Sequence, residues 1–182
     1  MIQISNNILL VSGSGQNVGK TSFIRRVIAA NSSHKLVAIK ITPHFHEPTE
    51  GLIPIRITDN FRIFQETDVT STKDSSLFLQ AGAALVIYIQ NSDNYLEEAF
   101  KIAVDNISPE QPIVVESALL RNVLVPELYL FIQKEFEEVK PSSLDMQKLA
   151  DIIVYSDSGQ FSVDPSSITF NQTWKITHDD NS

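Results

Sequence analysis

Apolar residues in this chain gather into short unbroken runs rather than alternating with polar ones. Residues 8–11 (ILLV), 36–41 (LVAIKI), 84–89 (ALVIYI), 112–116 (PIVVE), 128–132 (LYLFI) and 152–155 (IIVY) are such runs, rich in β-branched or aromatic side chains. A strand reads this way when both of its faces are covered, because neither set of alternating side chains then meets water. Helical stretches lie between them. Residues 20–30 are amphipathic, a helix starting near Asp74 stops near Gly82, and Asp93 is placed to cap a helix running to about Val104. Strands separated by helices predict an α/β fold with a mostly parallel central sheet and helices on both faces. Residues 42–54 (TPHFHEPTEGLIP) have loop composition, residues 52–64 carry shorter β-like runs (LIPIRI, FRIF), and residues 65–73 are polar. Residues 160–176 alternate in short pieces that predict antiparallel pairing at the C-terminal edge of the sheet, and residues 178–182 read as a frayed polar tail.

With 182 residues and 42% hydrophobic composition, the chain predicts one domain over residues 1–182. Its 14 basic and 22 acidic residues give a formal charge of −8, which argues against nucleic acid or an anionic membrane surface as partner. A nucleotide is not excluded, because a pocket needs only local cations and aimed backbone N–H groups. The absence of cysteine rules out a disulfide framework, a thiolate metal site and a cysteine nucleophile. Residues 8–11 are too short to cross a bilayer, and no basic region or cleavage pattern marks a secretory signal, so the expected compartment is the cytoplasm.

The strongest chemical signal is LLVSGSGQNVGKT at residues 9–21, between the first predicted strand and the first predicted helix. Glycines there let the chain turn sharply and bring backbone N–H groups to face an anion, while the helix beyond them turns its positive dipole end on the same point. The expected nucleotide-binding residues are Gly13, Ser14, Gly15, Gln16, Asn17, Val18, Gly19, Lys20, Thr21 and Ser22. Lys20 would reach the β- and γ-phosphates and the Thr21 hydroxyl would bind Mg²⁺, the division of labour of a phosphate loop in a P-loop NTPase. Five residues separate Gly13 from Gly19, one more than in G-x-x-x-x-G-K-[ST]. The competing reading is a Gly/Ser turn before an ordinary helix, with Lys20 in solvent.

That longer spacing resembles dethiobiotin synthetase, whose loop also ends V-G-K-T. A closer resemblance is carried by Lys40 in VAIKITPHFH, by KDSSLFLQAGAALV at residues 73–86 and by IVVES at 113–117. In order and spacing these are similar to the molybdopterin-guanine dinucleotide biosynthesis protein B family, with its I-K-H-T-x-H-like stretch, K-D-[ST]-x-x-x-x-x-A-G-A segment and strand ending in V-E-G. The resemblance spans about residues 8–120. It implies a Mg²⁺-dependent accessory protein that binds guanine nucleotide and assists molybdenum cofactor dinucleotide synthesis with a protein partner, and it carries the expectation of a homodimer.

Glu116 ends an apolar strand at the sheet edge where α/β proteins place ligands, so it is a candidate metal ligand with Thr21, or else a capping or ion-paired glutamate. Lys40 closes the second strand near the same edge; the matching lysine of dethiobiotin synthetase faces the transferred phosphoryl group, which implies a catalytic role here, against that of a lysine in solvent. Asp74 is both a catalytic and a metal candidate and also a good helix N-cap; Asp68 competes with it. His44 and His46, beside Glu47, admit a zinc reading, but a structural zinc site wants four ligands and a substrate-facing loop is the alternative. Arg121 reads as a solvated arginine rather than an arginine finger, Asp157 as a turn residue, and Asn91-Ser-Asp93 lacks the lysine of a guanine-recognition motif.

Three functions follow from these residues: a GTP- or ATP-binding accessory protein with weak NTPase activity, an ATP-dependent small-molecule kinase or ligase, or a nucleotide-switched partner-binding module.

Overall fold

A computed structural model describes residues 3–177. In chain order the elements are β1 (Gln3–Gly13), α1 (Lys20–Ala30), β2 (Val37–Thr42), β3 (Leu52–Ile57), β4 (Phe61–Glu66), α2 (Asp74–Gln80), β5 (Leu85–Asn91), α3 (Leu96–Val104), β6 (Ile113–Glu116), β7 (Leu124–Lys134), α4 (Leu144–Lys148), β8 (Ile152–Asp157), β9 (Gln160–Phe161), β10 (Ile168–Asn171) and β11 (Thr173–Ile176). Nine strands form one sheet in the order β3-β4-β5-β2-β6-β1-β7-β8-β9. The stretch from β5 to β8 is parallel throughout.

Alternate residues of the central strands feed two separate cores. Leu9, Val11, Ala38 and Val114 pack with Phe23, Ile24, Val27 and Ile28 of α1 and with Phe78 of α2. Ile8, Leu10, Val37, Ile39 and Val115 pack on the other face with Leu96, Ala99 and Phe100 of α3. Burial on both faces is the physical cause of the unbroken apolar runs. The helices carry their apolar residues on one side: in α1 positions 23, 24, 27 and 28 are buried while 25, 26, 29 and 30 are exposed.

Helix α2 stops where expected. Gly82 takes φ 103°, its N–H bonds to Leu79 O at 2.9 Å, and the Ala83 N–H bonds to Phe78 O at 3.2 Å, the double closure of a Schellman motif. At its start, the carboxylate of Glu66, only 3% exposed, accepts from the Thr67 and Asp68 N–H groups and from Ser75 Oγ. That buried acid ties the end of β4 to the first turn of α2 and so fixes where Asp74 stands.

The β-like runs at residues 52–64 form an antiparallel hairpin that extends the main sheet beyond β5, so antiparallel pairing occurs at both ends of the sheet. Two expectations are corrected. Of the C-terminal pieces only β9 joins the edge; β10 and β11 pair with each other as a separate two-stranded sheet. Their large side chains explain this. Ile168, Phe170 and Trp174 are buried in the α1 core, and Asn31 at the end of α1 donates to Ile168 O and accepts from the Phe170 N–H. Covering apolar surface gains more than lengthening an edge in water. α3 begins at Leu96 with Tyr95 at its N-cap position, after a 3₁₀ turn at Asp93–Tyr95, later than the start expected at Asp93. The tail expected at residues 178–182 lies outside the described residues.

Candidate functional site

β1 runs into the loop at the carboxyl edge of the parallel strands, the place where open α/β sheets bind ligands. Gly13 is pressed against β7: a Cβ there would stand 2.6 Å from Ile132 O and 2.9 Å from Val18 Cγ2. The next N–H, of Ser14, bonds to Ile132 O at 3.0 Å. Gly19, which precedes α1, takes φ 94°, and no side chain caps the helix, so its first N–H groups remain available to an anion. Ser156 Oγ of β8 donates to Val18 O at 2.8 Å and holds the loop from the other side. Lys20 folds back across the loop, Nζ donating to Gly15 O at 2.6 Å. Burial lowers its pKa and nearby Lys40 adds to this, while Glu116 and Asp74 act in the opposite sense.

Four elements then converge. In the sheet Lys40 is the register partner of Glu116. Lys40 Nζ donates to Glu116 Oε1 at 2.6 Å and to Asp74 Oδ2 at 2.8 Å, and Thr21 Oγ1 donates to Asp74 Oδ1 at 3.0 Å. β1–α1, β2, α2 and β6 thus contribute one charged or hydroxyl group each, or two in the case of Lys20 and Thr21. Burial works against the charge of Lys40, but Glu116 and Asp74 outweigh it and raise its pKa above the usual lysine value. Burial likewise opposes ionisation of Asp74, and Lys40, Thr21 and Lys20 outweigh it and hold the carboxyl below its usual range. Glu116 is 4% exposed, and its Oε2 accepts no hydrogen bond from the described residues.

A cleft of about 600 Å³ opens above these groups. Gln16, Asn17, Gly19, Lys20, Thr21 and Ser22 form its loop side and Lys40, Asp74 and Glu116 its far side, with Arg25 and Leu77 completing the wall. Ser14 and Val18 do not line it; both are buried, 8% and 3% exposed, and Val18 packs into the α1 core. Joined to this cleft across Lys40 and Asp74 is a second one of about 510 Å³, walled by His46, Glu47, Leu52, Thr72, Lys73, Ser75, Tyr88 and Gln90. A smaller apolar cavity of about 230 Å³ sits among Ile8, Phe100 and Ile113 at the starts of the strands and has no convergent polar groups of this kind.

The oxygens at the cleft for a cation are Thr21 Oγ1 and the Asp74 carboxylate, hydrogen-bonded to each other, and those of Glu116, whose buried Oε2 has no partner among the described residues. Such hard donors suit Mg²⁺, which keeps waters and completes its shell with substrate phosphates. Among the described residues no group of three or more His, Asp or Glu is arranged to hold a metal alone. His44 and His46 are both exposed, their rings 6.3 Å apart, and of the two only His46 lines either of these two clefts.

Other candidates also lie away from the cluster. Asp68 closes a turn by accepting from the Thr70 N–H and Oγ1, both at 2.7 Å. Arg121 donates to Leu124 O at 3.5 Å, outside both clefts. Asp157 is exposed beside a turn in which Ser158 and Gly159 have φ 47° and 82°. Asp74 begins α2 with Lys73 at its N-cap, and its carboxylate faces Lys40 and Thr21 rather than capping its own helix. The sequence reading missed Arg25, Tyr88, Gln90 and Glu66. Arg25 could have been found as the polar residue one turn beyond the loop; the others give no local signal, because only the fold brings them near Asp74.

A strand, this loop and a helix, on a parallel sheet with acidic and basic groups at its carboxyl edge, make the P-loop NTPase fold. The comparison with solved structures agrees. The crystal structure of Aquifex aeolicus LpxK in complex with ATP matches with a TM-score of 0.52 at 17% sequence identity, over 85% of this chain and 50% of that one. The chain thus spans about half the length of that protein. No protein-family model matches the chain, and no curated protein matches it in sequence. Among the described residues no helix is long and apolar enough to cross a membrane.

Proposed function

We propose that this protein binds a Mg²⁺–nucleoside triphosphate, GTP or ATP, on the loop at residues 13–22 and cleaves or transfers its γ-phosphoryl group. The observation that carries the reading is the convergence of Lys20, Thr21, Lys40, Asp74 and Glu116 on one cleft at the carboxyl edge of the sheet, the last four linked in a chain of hydrogen bonds. The loop N–H groups and Lys20 hold the phosphates. Thr21, Asp74 and Glu116 hold Mg²⁺, whose contribution is neutralisation of phosphate charge. Lys40 stabilises charge on the γ-phosphoryl group, and Asp74 accepts the proton of the attacking oxygen. The ATP of the structural neighbour supports the nucleotide, and so do the first N–H groups of α1, which no side chain caps among the described residues.

As a biological setting, the motifs at Lys40, residues 73–86 and residues 113–117 favour a cytoplasmic accessory protein of molybdenum cofactor dinucleotide synthesis acting with a protein partner. The second cleft beside Asp74 favours a small-molecule kinase instead, because a simple hydrolase needs room only for water. A homodimer has one support: β3 is an open sheet edge where Ile53, Ile55 and Ile57 are 53%, 48% and 56% exposed.

Calorimetric titration with ATP and GTP, with and without Mg²⁺, tests the reading. Selective Mg²⁺-dependent GTP binding would favour the accessory protein, and selective ATP binding the kinase. Lys20→Ala should abolish binding while leaving the circular dichroism spectrum unchanged. Absence of binding to either nucleotide by the wild-type protein would refute the proposal.

A further inference from the structure

The second cleft is built rather than incidental. Gln90, fully buried at its floor, donates from Nε2 to His46 O at 3.1 Å and so pins the loop after β2. Glu66, buried behind the opposite wall, pins Ser75 through a 2.7 Å hydrogen bond. Burial pushes the Tyr88 hydroxyl above the usual tyrosine range, against a hydrogen bond from the Gln90 side chain, so it stays protonated and can donate.

The charges around this cleft differ from those of the molecule. In a chain of net charge −8, Lys73 and His46 line it, with the His44 ring 6.3 Å from that of His46. Lys73 Nζ donates only to Thr49 Oγ1, at 2.8 Å, and forms no ion pair among the described residues. Glu47 also lines the cleft, exposed as Lys73 and His46 are, so the lining is balanced where the molecule as a whole is acidic; Glu47 forms no ion pair with Lys73, and Asp74 is engaged with Lys40. The inner end of the cleft is Lys40 and Asp74, which also border the phosphate cleft. A molecule lying along it would present one end to the γ-phosphate and the other to the Lys73 ammonium, which has no ion pair among the described residues, and the His46 ring.

We propose that this cleft holds the phosphoryl acceptor, a small alcohol bearing its own phosphate or carboxylate group, with the hydroxyl beside Asp74 and the anion at Lys73 and His46. The assignment rests on the nucleotide-binding reading above. In the reaction the hydroxyl oxygen forms a bond to the γ-phosphorus as the bond from that phosphorus to the β,γ-bridging oxygen breaks. The nucleoside diphosphate leaves with that electron pair, and the hydroxyl proton passes to the Asp74 carboxylate and then to solvent. Nothing is oxidised or reduced.

The test uses [γ-³²P]ATP and [γ-³²P]GTP with Mg²⁺ and matched compounds: glycerol against glycerol 3-phosphate and glycerate, and ribose against ribose 5-phosphate. An anionic member should raise the melting temperature of the protein loaded with a non-hydrolysable nucleotide and should acquire the label, while its uncharged counterpart does neither. Lys73→Ala and His46→Ala should each weaken that binding by about tenfold or more, as expected for the loss of a charge-assisted contact, with Mg²⁺–nucleotide affinity unchanged within about twofold. Label recovered only as inorganic phosphate with every compound, equal behaviour of charged and uncharged members, or indifference to both variants would overturn the proposal. Failure of the wild-type protein to bind nucleotide would instead overturn the reading beneath it.

Discussion

Lys40→Met is the most informative perturbation of the site, because it removes a charge while keeping most of the aliphatic stem. Lys40 bridges two carboxylates, Glu116 with a side chain 5% exposed and Asp74 with one 41% exposed. Stripping the partner from a fully buried charge costs about 3–5 kcal/mol, and from a surface pair about 0–1 kcal/mol. The Glu116 end belongs to the first case and the Asp74 end to the second, and the open cleft admits water to both, so a loss of about 2 kcal/mol is expected. For a chain of this size that lowers the melting temperature by about 4–8 °C. Urea unfolding at neutral pH measures it, with an unchanged m value showing that only the native state was affected. Adding Glu116→Gln to Lys40→Met should recover about 1 kcal/mol, since the buried charge left without a partner is gone. Mg²⁺ without nucleotide should stabilise Lys40→Met more than the wild type, whose two carboxylates are already occupied. A Lys40→Met protein as stable as the wild type, or strictly additive losses in the double variant, would refute the account of the triad.

Two further predictions concern protons and backbone. The folded-state pKa of Asp74 is depressed, so its contribution is present above the ordinary carboxylate range and lost as pH falls through the depressed value; the stability gap between wild type and Asp74→Asn should therefore shrink in acid, measured by urea unfolding at several pH values. Lys40 has the opposite sign, its contribution being lost only as pH rises past its raised pKa, so it leaves that acid window untouched. Gly19→Ala should cost about 1–3 kcal/mol and weaken nucleotide binding, because φ 94° is strained for alanine and its Cβ would stand 3.0 Å from Phe161 Cε1; unchanged thermal stability would sink this.

The parallel core and the phosphate loop were legible because their causes are local. Unbroken apolar runs record burial on both faces, and the glycines and Lys20 sit in the strand-to-helix context their chemistry needs. Lys40, Asp74 and Glu116 were legible as strand or helix ends, but their mutual ion pairs were not, since these arise from the register of β2 on β6 and from Glu66 anchoring α2. The partner of the hairpin at residues 52–64 was not legible, and the pair β10–β11 was misplaced, for a related reason. Alternating short strands announce pairing but not partners, and in the C-terminal case burial of Phe170 and Trp174 on α1 decided the outcome. The second cleft was invisible because Tyr88 and Gln90 belong to a strand whose sequence reports only its burial.

The balance of charge in the phosphate cleft leads to a last prediction. Lys20 and Lys40 are offset by Asp74 and Glu116, leaving the exposed Arg25 as the one surplus cation among the groups lining it. A bare triphosphate gains little from side chains so arranged, and it meets two carboxylates on the far wall. Mg²⁺ changes this, because a cation accepted by Thr21, Asp74 and Glu116 releases Lys40 to the phosphates while cancelling the repulsion. Nucleotide affinity should therefore depend on Mg²⁺ through Glu116. In Glu116→Gln the wall loses one negative charge and Lys40 is freer, so affinity without Mg²⁺ should rise while the gain on adding Mg²⁺ falls, each by about tenfold for a partly screened charge worth about 1.4 kcal/mol. Calorimetry in EDTA and in excess Mg²⁺ gives both values. An unchanged ratio of the two affinities would show that Glu116 serves only to hold Lys40, and metal binding would then rest on Thr21 and Asp74.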